Sequence, residues 1–264
     1  NSGNFNFTIG LVLFFFVSCG VSQVPSSFKN EKKEINLSSY RELDQADFVD
    51  HLASFESVYT EEYASKLQAL SSYNEVYLAG IVTKITESNE LFFKKKVKPK
   101  FYIVTSKTPY HFSLPGYKFF FSSSLIEKYI KNESILICLI TYELIRSEKN
   151  IYKKSIIIPT GSMSTNKILS LLRLETKDKV EIHKWAFYLL KRMGLDVDSY
   201  LSWLQIKNRN SLDFALQLGD IQSISREEAL YKAFLIQNSE RIDNFKKYQG
   251  SSRKFYNFIN KIKR

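Results

Sequence analysis

Residues 134–145, SILICLITYELI, are an almost unbroken apolar run in which Glu143 is the one charge. Ile135, Ile137, Ile140 and Ile145 make it rich in β-branched residues, and KNES (131–134) reads as a turn leading in, so the run is expected to be a buried strand. Cys138, in its middle, reads as a small core residue. Working outward, VYLAGIVTKIT (76–86), KFYIVTS (100–106), YKFFFSS (117–123) and YKKSIII (152–158) share the β-branched and aromatic bias. Their connections are charged or contain Pro and Gly, and SLIEKYI (124–130) reads as one short helix between the third and fourth strands.

Five strands with a helix in that position, and Gly80 inside a long first strand, resemble the OB-fold over residues 75–160. The resemblance implies an α+β fold: a five-stranded OB-like antiparallel β-barrel, preceded by a helix and followed by an all-helical C-terminal domain. It also implies a ligand face on strands 2 and 3, flanked by the loops between strands 1 and 2 and between strands 4 and 5. Both loops are basic. FFKKKVKPK (92–100) carries Lys94, Lys95, Lys96, Lys98 and Lys100, and RSEKNIYKK (146–154) carries Arg146, Lys149, Lys153 and Lys154. Tyr102 and its neighbours Phe101, Tyr110, Phe112, Tyr117 and Phe119 would supply stacking surface, so this face suits an anionic polymer or a single-stranded nucleic acid. The alternative is solvated hairpins and core aromatics, since alternate strand residues face inward.

The chain has 264 residues, 44% hydrophobic and 25% charged, enough to bury a full core, and its formal net charge is +11. Few Gly and Pro beside many Lys, Asn and Ile match an A+T-rich gene, so the charge is discounted as a sign of an acidic partner.

The stretch Phe5–Val17 has no charge but falls short of the about 20 apolar residues of a membrane-spanning helix. It has the size of a signal-peptide hydrophobic region. Without an initiator Met or a basic leader, position 1 is read as internal to the gene product. Phe16-Val17-Ser18-Cys19-Gly20 resembles the lipobox of bacterial lipoprotein precursors, in the relaxed spirochaete form with Phe16 where Leu is usual. That implies cleavage after residue 18 and lipidation of Cys19, with the protein held in the cell envelope on the inner or outer membrane. Two or more acyl chains hold a protein where one does not. Residues 19–40 then read as a lipidated tether.

Residues 41–73 are expected to form an acidic amphipathic helix: Phe48, Leu52, Phe55, Tyr59, Tyr63, Leu67 and Leu70 share a stripe, opposite Glu42, Asp44, Asp47, Asp50, Glu56, Glu61 and Glu62. This helix is a candidate to lie across the basic loops. Residues 164–264 read as all-helical. Their last segment, SRKFYNFINKIKR, puts Phe255, Phe258, Ile259 and Ile262 on one face, for packing on the domain or for an anionic membrane.

Chemistry-bearing patterns are sparse. His51, His111 and His183 stand far apart with no ligand spacing, so no metal and no cofactor are expected. Ile158–Met163 resembles the nucleophile box of type I signal peptidases and Leu190–Leu195 their lysine box, which implies a Ser162/Lys191 dyad. The residues after Met163 and around Gly194 depart from those boxes, and Lys191 falls on an amphipathic helix where that family uses a strand. Ser164-Thr-Asn-Lys167 matches the S-x-x-K spacing of penicillin-binding proteins without a companion motif. The expectation is a non-catalytic, lipid-anchored binding or assembly component with an envelope protein partner. The alternatives are a binder of anionic polymer through the basic face and, third, a Ser/Lys hydrolase.

Overall fold

The computed structural model describes residues 45–153, 163–195, 197–238 and 250–262. All of them fall in one compact unit, Leu43–Arg264. Cys19, its lipobox and the tether lie outside the described residues, as do Ser162 and most of the fifth expected strand.

Helix α1, Gln45–Glu62, buries Phe48, Leu52, Phe55 and Tyr59, one stripe at helical spacing. The chain then leaves the helix through a single 3₁₀ turn, Ala64–Lys66, into the two-residue strand β1, Leu67–Gln68, so Tyr63, Leu67 and Leu70 do not extend the stripe. Helix α2, Ser72–Glu87, starts where Ser71 Oγ accepts from the Asn74 amide. Strands β2, Lys100–Val104, β3, His111–Leu114, and β4, Lys118–Ser122, follow, with Gly116 and Tyr117 turning β3 into β4 at positive φ.

The sheet is open, in the order β1-β2-β4-β3. β2 runs parallel to β4, Phe101 opposite Phe119 and Ile103 opposite Phe121, while β1 and β3 are antiparallel to their neighbours. The five-stranded antiparallel OB-like barrel is therefore corrected to a four-stranded mixed sheet between helices. The reason lies in the two runs taken for its longest strands. Residues 76–86 belong to α2, and their buried positions Tyr77, Leu78, Ile81, Val82 and Ile85 follow a helical repeat. Residues 134–145 belong to helix α4, Glu133–Glu148, opened by Asn132, whose side chain accepts from the Ile135 amide at 2.9 Å. Helix α4 packs on β3, on α2, on helix α6, Thr176–Arg192, and on helix α7, Asp198–Arg209. Enclosed on several sides, it is apolar nearly all round and loses the polar stripe that marks a surface helix.

Alternation along β4 divides the interior. Phe119 and Phe121 enter a core shared with α2, α4 and the C-terminal helices, whereas Phe120 enters a second core with Phe112, Tyr59 and helix α5, Thr165–Leu171. The larger core runs from Tyr77 to Ile262, so the helical segment after residue 164 closes over the same interior as α2 and α4. Helices α8, Ala215–Leu218, and α9, Ser223–Gln237, complete that layer. Helix α10, Arg253–Ile262, turns Phe255, Phe258, Ile259 and Ile262 inward against α2 and the short helix α3, Ser123–Lys128. Of the two uses expected for that stripe, packing is the one present.

Glu56 pins α1 to the sheet. Its carboxylate lies 2.8 Å from Lys100 Nζ and 2.5 Å from Lys118 Nζ, and Tyr102 donates to it. Burial raises the Glu56 pKa, but the hydrogen bonds from Lys100, Lys118 and Tyr102 outweigh it and hold it at about 2. A carboxylate depressed in the fold contributes stability above its unfolded value, 4.5, and loses it as pH falls through about 2. With solvent screening at exposed Lys100, Glu56→Gln is expected to lower unfolding free energy by about 1–3 kcal/mol at pH 7. The gap to the parent should close between pH 4.5 and 2 in denaturant titrations, and a pH-independent gap would exclude this origin.

Candidate functional site: a buried basic cavity

Helix α4 carries Glu143 and Arg146 into the interior, where both side chains are buried. Glu143, 1% exposed, takes His111 Nδ1 at 2.6 Å on one oxygen and Ser113 Oγ at 2.6 Å on the other, both from β3. Arg146 Nη1 stands 3.8 Å from the same carboxylate. The guanidinium also donates to the carbonyls of Leu172 and Ile151, and it lies over the Tyr152 ring.

A second cluster faces the first. Glu227 of α9, fully buried, receives His183 Nε2 of α6 at 2.7 Å, with Lys179 Nζ at 3.4 Å and Lys207 Nζ at 3.6 Å. His183 Nδ1 is 2.6 Å from the Tyr200 hydroxyl. The Tyr142 ring stands between the two histidines, 6.0 Å from His111 and 5.6 Å from His183.

The clusters bound a cavity of about 40 Å³, room for about three waters or one small oxyanion. Its polar lining is His111, His183, Tyr142, Gln217 and four basic side chains, Arg146, Arg173, Lys179 and Lys207. Among the described residues no carboxylate lines it; Glu143 and Glu227 sit behind the histidines. His111 Nε2 and Arg173 Nε have no hydrogen-bond partner among the described residues, although both atoms are buried. Gly219, at φ +73°, allows Arg173 its place, because a Cβ there would collide with the guanidinium.

Protonation follows from burial and pairing. Burial raises the Glu143 pKa, but the hydrogen bond from His111, the charge of Arg146 and the hydrogen bond from Ser113 carry it below the usual carboxylate range. At Glu227 burial also raises, and Lys207, His183 and Lys179 outweigh it. Burial lowers both histidines against the upward pull of their glutamates. Neutral His111 thus donates from Nδ1 to Glu143 and leaves Nε2 as an acceptor. Burial lowers Lys207 as well, with Glu227 opposing.

Ser113 donates to Glu143 and not to His111, so the serine lacks the imidazole base that activates such a hydroxyl. Among the described residues no group of three His, Cys, Asp or Glu side chains is placed to hold a metal ion, and no helix is long and apolar enough to cross a membrane.

The residues singled out in sequence scatter. Lys94, Lys95, Lys96 and Lys98 are exposed on the loop after α2, and Lys153 is exposed outside regular structure. Lys100 and Tyr102 are occupied by Glu56. Arg146 lines the cavity, and Lys149 Nζ lies 4.4 Å from the Phe92 ring centroid. Lys191 sits on α6 with its Nζ 5.8 Å from the Phe187 ring centroid. Ser164 is the N-cap of α5, accepting from the Lys167 amide at 3.3 Å, which accounts for that S-x-x-K spacing. From sequence, His111 and His183 are set aside as metal ligands, and Glu143, Glu227, Lys179 and Lys207 carry no site role; the signal is ionisable residues set inside apolar segments, His111 on β3 and the others on helices. No known protein family and no curated protein matches the chain.

Both histidines are depressed below 6.5 in the fold, so below that pH the unfolded chain binds protons that the folded one refuses, and stability falls as pH drops. Denaturation between pH 7 and 5.5 is expected to show uptake of one to two protons on unfolding, about 1.4 kcal/mol per pH unit for each histidine. His111→Gln should remove about half of that slope, while an unchanged midpoint across this window would contradict the assignment. Glu56 acts only below pH 4.5, which keeps the two effects apart.

Proposed function

We propose that this chain is a lipid-anchored cell-envelope protein whose folded body binds a small oxyanion, free or as the acidic end of a larger molecule, without catalysis. The observation that carries the binding half is the lining of the cavity: among the described residues, four basic side chains and no carboxylate, with buried donor and acceptor atoms left unpaired. Burying basic groups beyond their counter-charges is costly, and an entering anion relieves that cost. Lys207, drawn down by burial, regains its proton preference when an anion stands beside it. A hydrogen phosphate or a protonated carboxyl gives His111 Nε2 the donor it lacks.

The anchor half rests on Phe16-Val17-Ser18-Cys19-Gly20. Acylation of Cys19 would hold the body at a membrane surface, where it can serve an envelope protein partner. Binding outranks the polymer reading, since Lys100 and Arg146, counted for a continuous basic face, are committed elsewhere.

Calorimetric titration with phosphate, sulfate and acetate is expected to give saturable binding, with phosphate tightening between pH 8 and pH 6 as binding takes up protons. Arg173→Gln should weaken it at least tenfold and leave the fold intact, because among the described residues that guanidinium is paired with no carboxylate and donates only to the Leu216 carbonyl. Gly219→Ala should weaken it through displacement of Arg173. Absence of binding by all three anions at millimolar concentration would overturn the ligand reading. Mass spectrometry of the native protein is expected to find an acylated Cys19 at the N-terminus, and an unmodified thiol there would remove the anchor.

A further inference from the structure

The loop after α2 and the outer side of α6 meet in an exposed aromatic surface unrelated to the cavity. Leu91 is 82% exposed, Trp185 45% and Tyr188 40%. The Phe92 ring stands 5.2 Å from Trp185, and Tyr188 stands 6.0 Å from Phe234 of α9, so apolar surface continues across three elements. Lysines border it. Lys149 Nζ lies 4.4 Å over the Phe92 ring, and Lys94, Lys95 and Lys96 follow in the same loop, exposed. Lys184, beside Trp185, is engaged by Glu181 at 2.8 Å, and Glu90 is an acid of the loop itself.

We propose that this face, with Leu91, Phe92, Trp185 and Tyr188 at its centre and Lys94–Lys96 and Lys149 at its border, seats on an anionic lipid bilayer. Charge complementarity names the occupant. Half-exposed Trp and Tyr rings are the side chains that settle at headgroup depth, with one end apolar and the other wet. Flexible lysines extend their charge toward lipid phosphates while their stems lie on apolar surface. A protein partner is the poorer fit, because protein interfaces favour Trp and Tyr but are depleted in lysine. The contact orients the body and does not depend on how the N-terminus is attached.

The chain holds two tryptophans, Trp185 and Trp203, and Trp203 is 2% exposed, so a change in emission on membranes reports Trp185. On vesicles of phosphatidylcholine with phosphatidylglycerol, the full chain is expected to show a blue shift and quenching by acyl-brominated lipid. Both should be much reduced on phosphatidylcholine alone and absent in Trp185→Phe. Neutralising Lys94, Lys95 and Lys96 to Gln should weaken the response about fivefold per lysine, and Leu91→Asp should reduce it; both variants alter exposed side chains. Unchanged emission from protein that co-sediments with anionic vesicles would overturn the proposal. So would a shift produced by polyglutamate and not by vesicles, which would assign the face to an acidic protein.

Discussion

Helix α4 has almost no solvent face, and that enclosure decides what its polar residues must do. Within Glu133–Glu148, Glu143 and Arg146 are as buried as the leucines beside them. An unpaired charge there would cost several kcal/mol, so neighbouring elements have to supply partners. β3 supplies His111 and Ser113, and the 172–174 segment supplies a carbonyl to Arg146. The second set, Glu227 with His183, Lys179 and Lys207, satisfies the same requirement for α9. The cavity is the space left where two such sets meet without meshing, and its basic lining follows from carboxylates that are used up behind the histidines.

This enclosure also explains what the sequence discloses and what it hides. Strands at 100–104 and 118–122 were legible because Lys100, Phe101 and Lys118–Phe121 sit in aromatic runs flanked by turn residues. The stripe Phe48, Leu52, Phe55, Tyr59 was legible because α1 keeps one wet side. Residues 134–145 were not, since a helix surrounded by protein shows no polar phase and its isoleucines imitate a buried strand. Local chemistry pointed the other way: Asn132 followed by Glu133 is a helix start, and the length of the run exceeds an ordinary strand. Strand β3, HFSL, was hidden by its shortness and by the imidazole within it. The site was hidden for another reason. His111 and His183 are 72 positions apart, and their convergence is set by α4 and α6 packing, which no spacing rule encodes.

The basic residues that looked like one ligand face serve three different ends. Lys100, joined by Lys118 from outside that set, neutralises Glu56 and ties α1 to the sheet. Arg146 is an interior residue that bridges α4 to the 172–174 segment. Lys94, Lys95 and Lys96 stay in solvent on the loop after α2, and Lys149 lies over the Phe92 ring. A count of positive charge is therefore a poor guide to a partner, because each lysine contributes to binding only what its pairing leaves over. The formal +11 of the chain overstates the field at any one surface.

Burial works on the cavity in two opposed directions, and the balance explains why it suits a ligand that arrives with charge. The low dielectric that holds His111 and His183 neutral also draws Lys207 toward neutrality, so the empty interior minimises its own positive charge. The same dielectric would strengthen every attraction once an anion entered, and the histidines and Lys207, all lowered by burial, would gain affinity for protons. Glu143 and Glu227, already ionised and hydrogen-bonded, hold the imidazoles in place as this happens and need not move. A fixed scaffold with titratable walls would couple the proposed anion uptake to proton uptake, a coupling that follows from enclosing α4 and requires no moving lid.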